Sequence, residues 1–351
     1  MTKMNLVTGA TGLLGSHIVE QLRRRDMPVR VLVRPGSDRS WLETQNVEFA
    51  EGDVTDADSV RRACEGCDVV YHSAARVGDW GPWEEFQAIT IDGTRNMIDA
   101  AQAAGVRRFV HISSISTYGY HTKPIEVDES FELGYKMYKW AYYTRSKVEA
   151  ERIVWDAHRR GGIELTVIRP SWIYGERDRT TIGRLYHMIK TGKAKILGPG
   201  DNRLNVVYAG NCAEAAITAA HLPAANGQAY NCSNDGSITQ REYFDLWART
   251  IGVPPLKHHA PYKAAYFVGF LLECWGHLTR SKKPPFITRY AVWLMGRRSY
   301  FSAEKARREL GWKPTVTYEE GVPRTVQWYL DQQRGGTQPQ DAAGEPAAAT
   351  A

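Results

Sequence analysis

Apolar and polar positions along the first half of the chain repeat a strand-then-helix rhythm. Met4-Asn5-Leu6-Val7 is a short, nearly continuous apolar run, which predicts a buried strand. Leu14, Ile18 and Leu22 then recur at helical spacing, with Glu20 and Arg23 to Arg25 on the other faces. Further apolar runs predict strands over 29–33, 47–50, 68–72, 109–112 and 165–168. Between them the pattern predicts a helix over 57–64 capped by Asp56, one long helix from Trp83 to Ala104, and a helix starting near Tyr143. Strands alternating with helices predict an α/β fold of the Rossmann type, a doubly wound parallel sheet.

The first strand–helix junction is Thr8-Gly9-Ala10-Thr11-Gly12-Leu13-Leu14-Gly15. A helix N-terminus at this place offers unpaired N–H groups and the positive end of a dipole to a nucleotide pyrophosphate. Gly9 permits the tight turn, Gly12 lets backbone approach phosphate, and Gly15 lets helix pack on strand. The second strand closes on Arg34, about 20 residues past that turn, where the adenosine ribose is read. An acidic residue there would favour NAD. Arg34, with Ser37 and Arg39 nearby, can pair with a 2′-phosphate instead, so NADP is the preferred cofactor and NAD the alternative. Asp53 closes the third strand and can accept from the adenine amino group. Ser73, Ala74 and Ala75 after the fourth strand leave room for the nicotinamide ribose, and His72 reads as a packed strand residue.

Composition narrows the class without changing the fold. The 351 residues are 43% hydrophobic and 24% charged with a formal net charge of +6, as in ordinary globular proteins. Basic residues are scattered and no basic, aromatic-interleaved stripe suggests nucleic acid. Five cysteines fit no disulfide framework and no signal-peptide pattern precedes the first strand, which predicts a cytoplasmic protein. Cys64 and Cys67 form a C-x-x-C pair with no second pair, and no metal site is expected.

The candidate chemistry lies in Tyr143-Thr144-Arg145-Ser146-Lys147. Tyr143 and Lys147 are four apart and share a helix face. A lysine ammonium beside a phenol favours the phenolate, so the phenol can exchange a proton with an alcohol or carbonyl. Ser114, at the end of the fifth strand, can hydrogen-bond the same oxygen. Tyr135 and Lys139 repeat the spacing in a crowded aromatic stretch and read as packing or pocket wall.

Together the glycine corner, Gly52-Asp53, Ser113-Ser114 and the Tyr143/Lys147 pair resemble the extended short-chain dehydrogenases/reductases, over roughly residues 3–330. The resemblance implies that Ser114, Tyr143 and Lys147 are catalytic, with Ser113 as the fallback for the serine. It implies cofactor contacts at Gly9, Thr11, Gly12, Leu13, Leu14, Gly15, Arg34, Arg39, Asp53, Val54, Ser73, Ala74, Ala75, Tyr143, Lys147 and Pro170. A homodimer through two helices of the cofactor domain is usual in this family. One departure is Thr90, where many members carry Asn. Arg169-Pro170-Ser171-Trp172-Ile173-Tyr174-Gly175 has Trp172 where nucleotide-sugar epimerases and dehydratases carry Asn, and it resembles the 3β-hydroxysteroid and sterol-4-carboxylate dehydrogenase branch. An indole there suits an apolar substrate, steroid-like or a long-chain 3-hydroxy acid. An epimerase or dehydratase with tightly held NAD, and a non-catalytic cofactor sensor, are the alternatives.

The reading assigns 1–172 and 204–234 to the dinucleotide-binding domain. It assigns 173–203 and 235–332 to a smaller C-terminal substrate lobe, and 333–351 to a disordered tail. Trp80, Trp172 and the Phe267–Trp275 segment are expected to line the substrate pocket. The apolar runs within 262–298, flanked by basic residues and too short to span a bilayer, are core helices of that lobe or a membrane-surface contact.

Overall fold

The structure is a computed structural model that describes residues 3–121 and 123–334. Seven parallel strands form the central sheet: β1 (Met4–Thr8), β2 (Val29–Val33), β3 (Glu48–Glu51), β4 (Cys67–His72), β5 (Arg108–Ile112), β6 (Glu164–Pro170) and β7 (Gln228–Cys232). Their order is β7-β6-β5-β4-β1-β2-β3. The chain starts in the middle, winds outward through β2 and β3, then returns to β4 on the other side of β1. That reversal opens a crevice at the carboxyl ends of β1 and β4, where doubly wound sheets bind nucleotides.

Helices cover both sheet faces, as a parallel sheet requires. On one face Leu14, Ile18 and Leu22 pack with Ala213, Ala216 and Ile217 of the helix Ala209–His221 against Val7, Val31 and Tyr71. On the other, Val60, Met97, Ile98 and Val154 pack on Leu6, Val70 and Phe109. A separate apolar cluster holds Tyr174, Ile189, Tyr243, Trp247, Tyr318 and Val322.

The expected strands appear within one or two residues, and the helix Ala57–Cys64 matches, with Asp56 accepting from the Asp58 amide. Three expectations are corrected. The long helix over 83–104 is a short α-turn, a π-helical stretch Phe86–Asp92 and the helix Gly93–Ala103. The wider turn carries Thr90 to the Arg76 amide, which its hydroxyl accepts at 3.0 Å. Gln333 and Arg334, assigned to the tail, close the helix Tyr318–Arg334; the rest of that tail lies outside the described residues.

The third correction concerns the helix Tyr262–Leu278. Its inward face is Tyr266, Gly269, Glu273 and Gly276, while Phe267, Leu271 and Trp275 point to solvent. Gly269 and Gly276 decide this orientation. A Cβ on Gly269 would sit 3.1 Å from the Arg289 amide, and one on Gly276 2.7 Å from the Trp80 ring. The helix therefore docks by its small residues. Arg289, expected to flank an apolar run, is instead buried and paired with Glu273.

Candidate active site

At the glycine corner, Gly9 has φ +67°, and a Cβ there would lie 2.9 Å from the Ala74 amide. Gly15 lies closer still: its Cβ would come within 2.2 Å of the Gly9 carbonyl. Gly12 differs, for its Cβ would meet only the Gly9 carbonyl, at 3.2 Å. No side chain caps the helix Leu13–Arg24 at Gly12. The open, uncapped N-terminus at Gly12, with Thr11 and Leu13 half-buried beside it, fits a pyrophosphate. Leu14 faces the core, so only its amide is available. Gly15→Ala is expected to cost about 1–3 kcal/mol of stability by overpacking. Gly12→Ala is expected to leave the unfolding midpoint in place and weaken NAD(P)(H) binding roughly tenfold, because its methyl enters phosphate space. Urea unfolding and cofactor titration of the two variants check this.

Ser73 serves the corner itself. Its hydroxyl donates to the Thr8 carbonyl at 2.7 Å and lies where Cβ atoms on Gly9 and Gly15 would be. The Ala74 amide donates to the Thr8 hydroxyl, and Ala75 follows, half-buried. His72 is a packed strand residue: its ring bonds Thr8 and Thr94, and burial holds it neutral. Asp53 folds its carboxylate onto the Thr55 amide and hydroxyl at 2.8 Å. Val54 is buried against Gly93. Arg34 is exposed just past β2. Arg39 is shared between Glu51 and Glu43, at 2.8 and 3.4 Å, which leaves Arg34 the better placed of the two for a phosphate.

The helix Tyr142–Arg160 carries Tyr143 and Lys147 on one face, and Ser114 opens the short helix after β5. Burial raises the Tyr143 phenol, and a hydrogen bond with Ser114 partly offsets this. The Lys147 ammonium is not aimed at the phenol. It donates to the Ile112 carbonyl at 2.8 Å, and burial pushes it down to about 8 against the opposing pull of Glu151. The expected lowering of the phenol by Lys147 is therefore corrected: in this geometry Ser114 is the group that acts on it. Ser113 is excluded as the fallback, because its hydroxyl donates to Glu151 at 2.5 Å. Pro170 ends β6 beside Cys232.

Glu151 was not foreseen. Fully buried, it holds Arg169 in a salt bridge, and Trp155 donates to it at 3.0 Å. Arg169 in turn donates to Tyr118, and Tyr118 to Asn231. The signal was present in the spacing: Tyr143, Lys147 and Glu151 stand four apart on one helix face.

A narrow cleft is walled by Trp80, Tyr138, Trp140, Tyr142 and His277, and the carboxyls of Asp79 and Glu273 also line it. Tyr290 packs on the Tyr143 ring at 5.9 Å. Trp80 is in this wall. Trp172 is not, since it packs against Tyr243 in the cluster around Tyr174 and Tyr318, and the outward side chains of the Phe267–Trp275 segment are not. Tyr135 of the alternative pair is exposed and stacked on His121. Burial raises the Cys64 and Cys67 thiols to about 12 and about 11, so both stay protonated.

The model of the NAD-dependent epimerase/dehydratase family matches residues 5–233. The chain belongs to that family. Among the family's relatives, a 2-alkyl-3-oxoalkanoate reductase of Stenotrophomonas maltophilia is 31% identical over 91% of this chain and 97% of its own. A decarboxylating sterol-4-alpha-carboxylate 3-dehydrogenase of Mus musculus is 32% identical, over 92% of this chain and 89% of its own. The crystal structure of gox2253 superposes with a TM-score of 0.79 at 27% identity, covering 96% of this chain and 99% of that one. Within the epimerase/dehydratase family this chain is an NAD(P)-dependent oxidoreductase.

Proposed function

We propose that the protein interconverts a secondary alcohol and a ketone on a hydrophobic substrate, steroid-like or a long-chain 3-oxo acid, using NADP(H) in preference to NAD(H). The observation that carries this reading is the buried Tyr143 phenol in hydrogen-bond contact with Ser114, with Lys147 one turn along the same helix. The bound nicotinamide supplies or accepts the hydride. Tyr143 passes a proton to or from the substrate oxygen, and Ser114 hydrogen-bonds that oxygen and the phenol. Lys147, held by the Ile112 carbonyl and pushed down to about 8, stays mostly charged at neutral pH. The names of the two relatives, a 3-oxo acid reductase and a sterol carboxylate dehydrogenase, support a substrate with oxygen at carbon 3.

The test is NADPH oxidation by the purified protein with 2-alkyl-3-oxo acids and 3-oxosteroids. Turnover with NADPH faster than with NADH is expected. Arg34→Glu is expected to cost roughly tenfold in NADP(H) affinity and leave NAD(H) affinity in place, since a charge-assisted phosphate contact is lost. Equal losses for both cofactors in a binding titration would remove Arg34 as the phosphate reader.

A second reading, a nucleotide-sugar epimerase or dehydratase, is favoured by one observation. The Arg297 guanidinium is 1% exposed, with Nε and Nη2 unpartnered among the described residues. Such a buried cation suits a diphosphate as well as a carboxylate. NAD that survives purification, with turnover of nucleotide sugars and none of ketones, would establish this reading over the first.

A further inference from the structure

We infer that the outer face of the Tyr262–Leu278 helix docks on an anionic lipid bilayer, lying on its surface. Val268, Leu271, Trp275 and Leu278 are spaced i, i+3, i+7 and i+10, so they share one face. All four are exposed, Trp275 at 66% and Leu278 at 77%. With Phe267 and Phe286 they make up six of the nine strongly exposed large hydrophobic side chains among the described residues. A contiguous patch of this kind marks an interaction site.

Charge names the occupant. Lys263, Arg280, Lys282 and Lys283 are exposed around the patch. From 261 to 288 the only acid is Glu273, which is buried and paired with Arg289. Exposed charge within 261–288 is therefore cationic throughout. An apolar stripe with a basic rim is the pattern of a helix lying in the headgroup plane of an anionic leaflet. A second copy of the chain fits less well, since a two-fold interface would set this rim against itself. No helix among the described residues is long and apolar enough to cross a membrane.

The same helix turns Glu273 and His277 into the cleft lined by Trp80, Trp140 and Tyr142. Docked on a bilayer, it would hold the cleft next to the phase in which an apolar substrate dissolves. This purpose rests on the proposed function; the docking itself does not.

The full chain is floated with phosphatidylcholine vesicles and with vesicles that also contain phosphatidylglycerol. Binding to the anionic vesicles, weakened by high salt, is expected. Leu271→Glu with Trp275→Glu, and separately Lys282→Glu with Lys283→Glu, are each expected to weaken it roughly tenfold or more. Both should leave NADP(H) binding and turnover of a short water-soluble ketone unchanged. Failure to float with anionic vesicles would overturn the inference, as would equal flotation of the variants. A dimer in solution that Leu271→Glu with Trp275→Glu splits would overturn it in favour of a second copy. An active enzyme that ignores vesicles refutes only the docking, and a vesicle-bound protein that reduces no ketone refutes only the proposed function.

Discussion

Tyr143→Phe is expected to lower kcat/KM for ketone reduction by about 10²–10⁴-fold, the range that a positioned general acid supplies. The substitution removes one oxygen and keeps the ring that packs on Tyr290, so unfolding midpoint and NADP(H) affinity should stay with the parent. The pH profile assigns roles within the site. Burial raises the Tyr143 phenol, so it remains a proton donor well into the alkaline range. Lys147 is pushed down to about 8, so it is the first of the two to lose its proton as pH rises. Reductive kcat/KM should therefore fall above about pH 8, the free-enzyme value that this ratio reports. Lys147→Met should abolish that limb at a reduced plateau. A Tyr143→Phe enzyme as fast as the parent would remove Tyr143 from the chemistry.

Glu151→Gln is expected to cost about 3–5 kcal/mol of stability, because it leaves a buried cation without its counter-charge. Arg169 is 4% exposed and, among the described residues, takes its salt bridge from Glu151 alone. Ser113 and Trp155 lose their charged acceptor at the same time. Replacing both members, Glu151→Gln with Arg169→Met, should recover part of the loss, since no unpaired charge is then buried. Urea unfolding of the two variants measures this. Glu151 also opposes the desolvation of Lys147, so its removal should move the alkaline limb of reductive kcat/KM below pH 8. A merely structural role for Glu151 would lower stability and leave that limb in place.

Much of the cofactor half was legible because its signals are local. The glycine corner, the apolar runs of β1 to β6 and the Tyr143/Lys147 spacing each lie within one short segment, where backbone geometry and side-chain period are set by neighbouring residues. Thr90 at the Arg76 amide was partly legible, since a hydroxyl can do some of the hydrogen bonding of the Asn it replaces. The π-helical turn that delivers it was not, because a periodic apolar pattern reads alike through an α-turn and a one-residue-wider one.

By itself the sequence determined the order of strands and helices, the parallel winding, the open corner at Gly12 and the shared face of Tyr143 and Lys147. Only the tertiary structure decided where the Lys147 ammonium points, that Glu151 is buried on Arg169, and which side of the Tyr262–Leu278 helix meets solvent. These depend on partners distant in the chain: the Ile112 carbonyl, Arg169 on β6, and Trp80 against Gly276. An apolar residue on a helix carries no label for its neighbour. The glycines that let Trp80 and the 288–289 backbone come close chose the inward face, and so turned Leu271 and Trp275 outward.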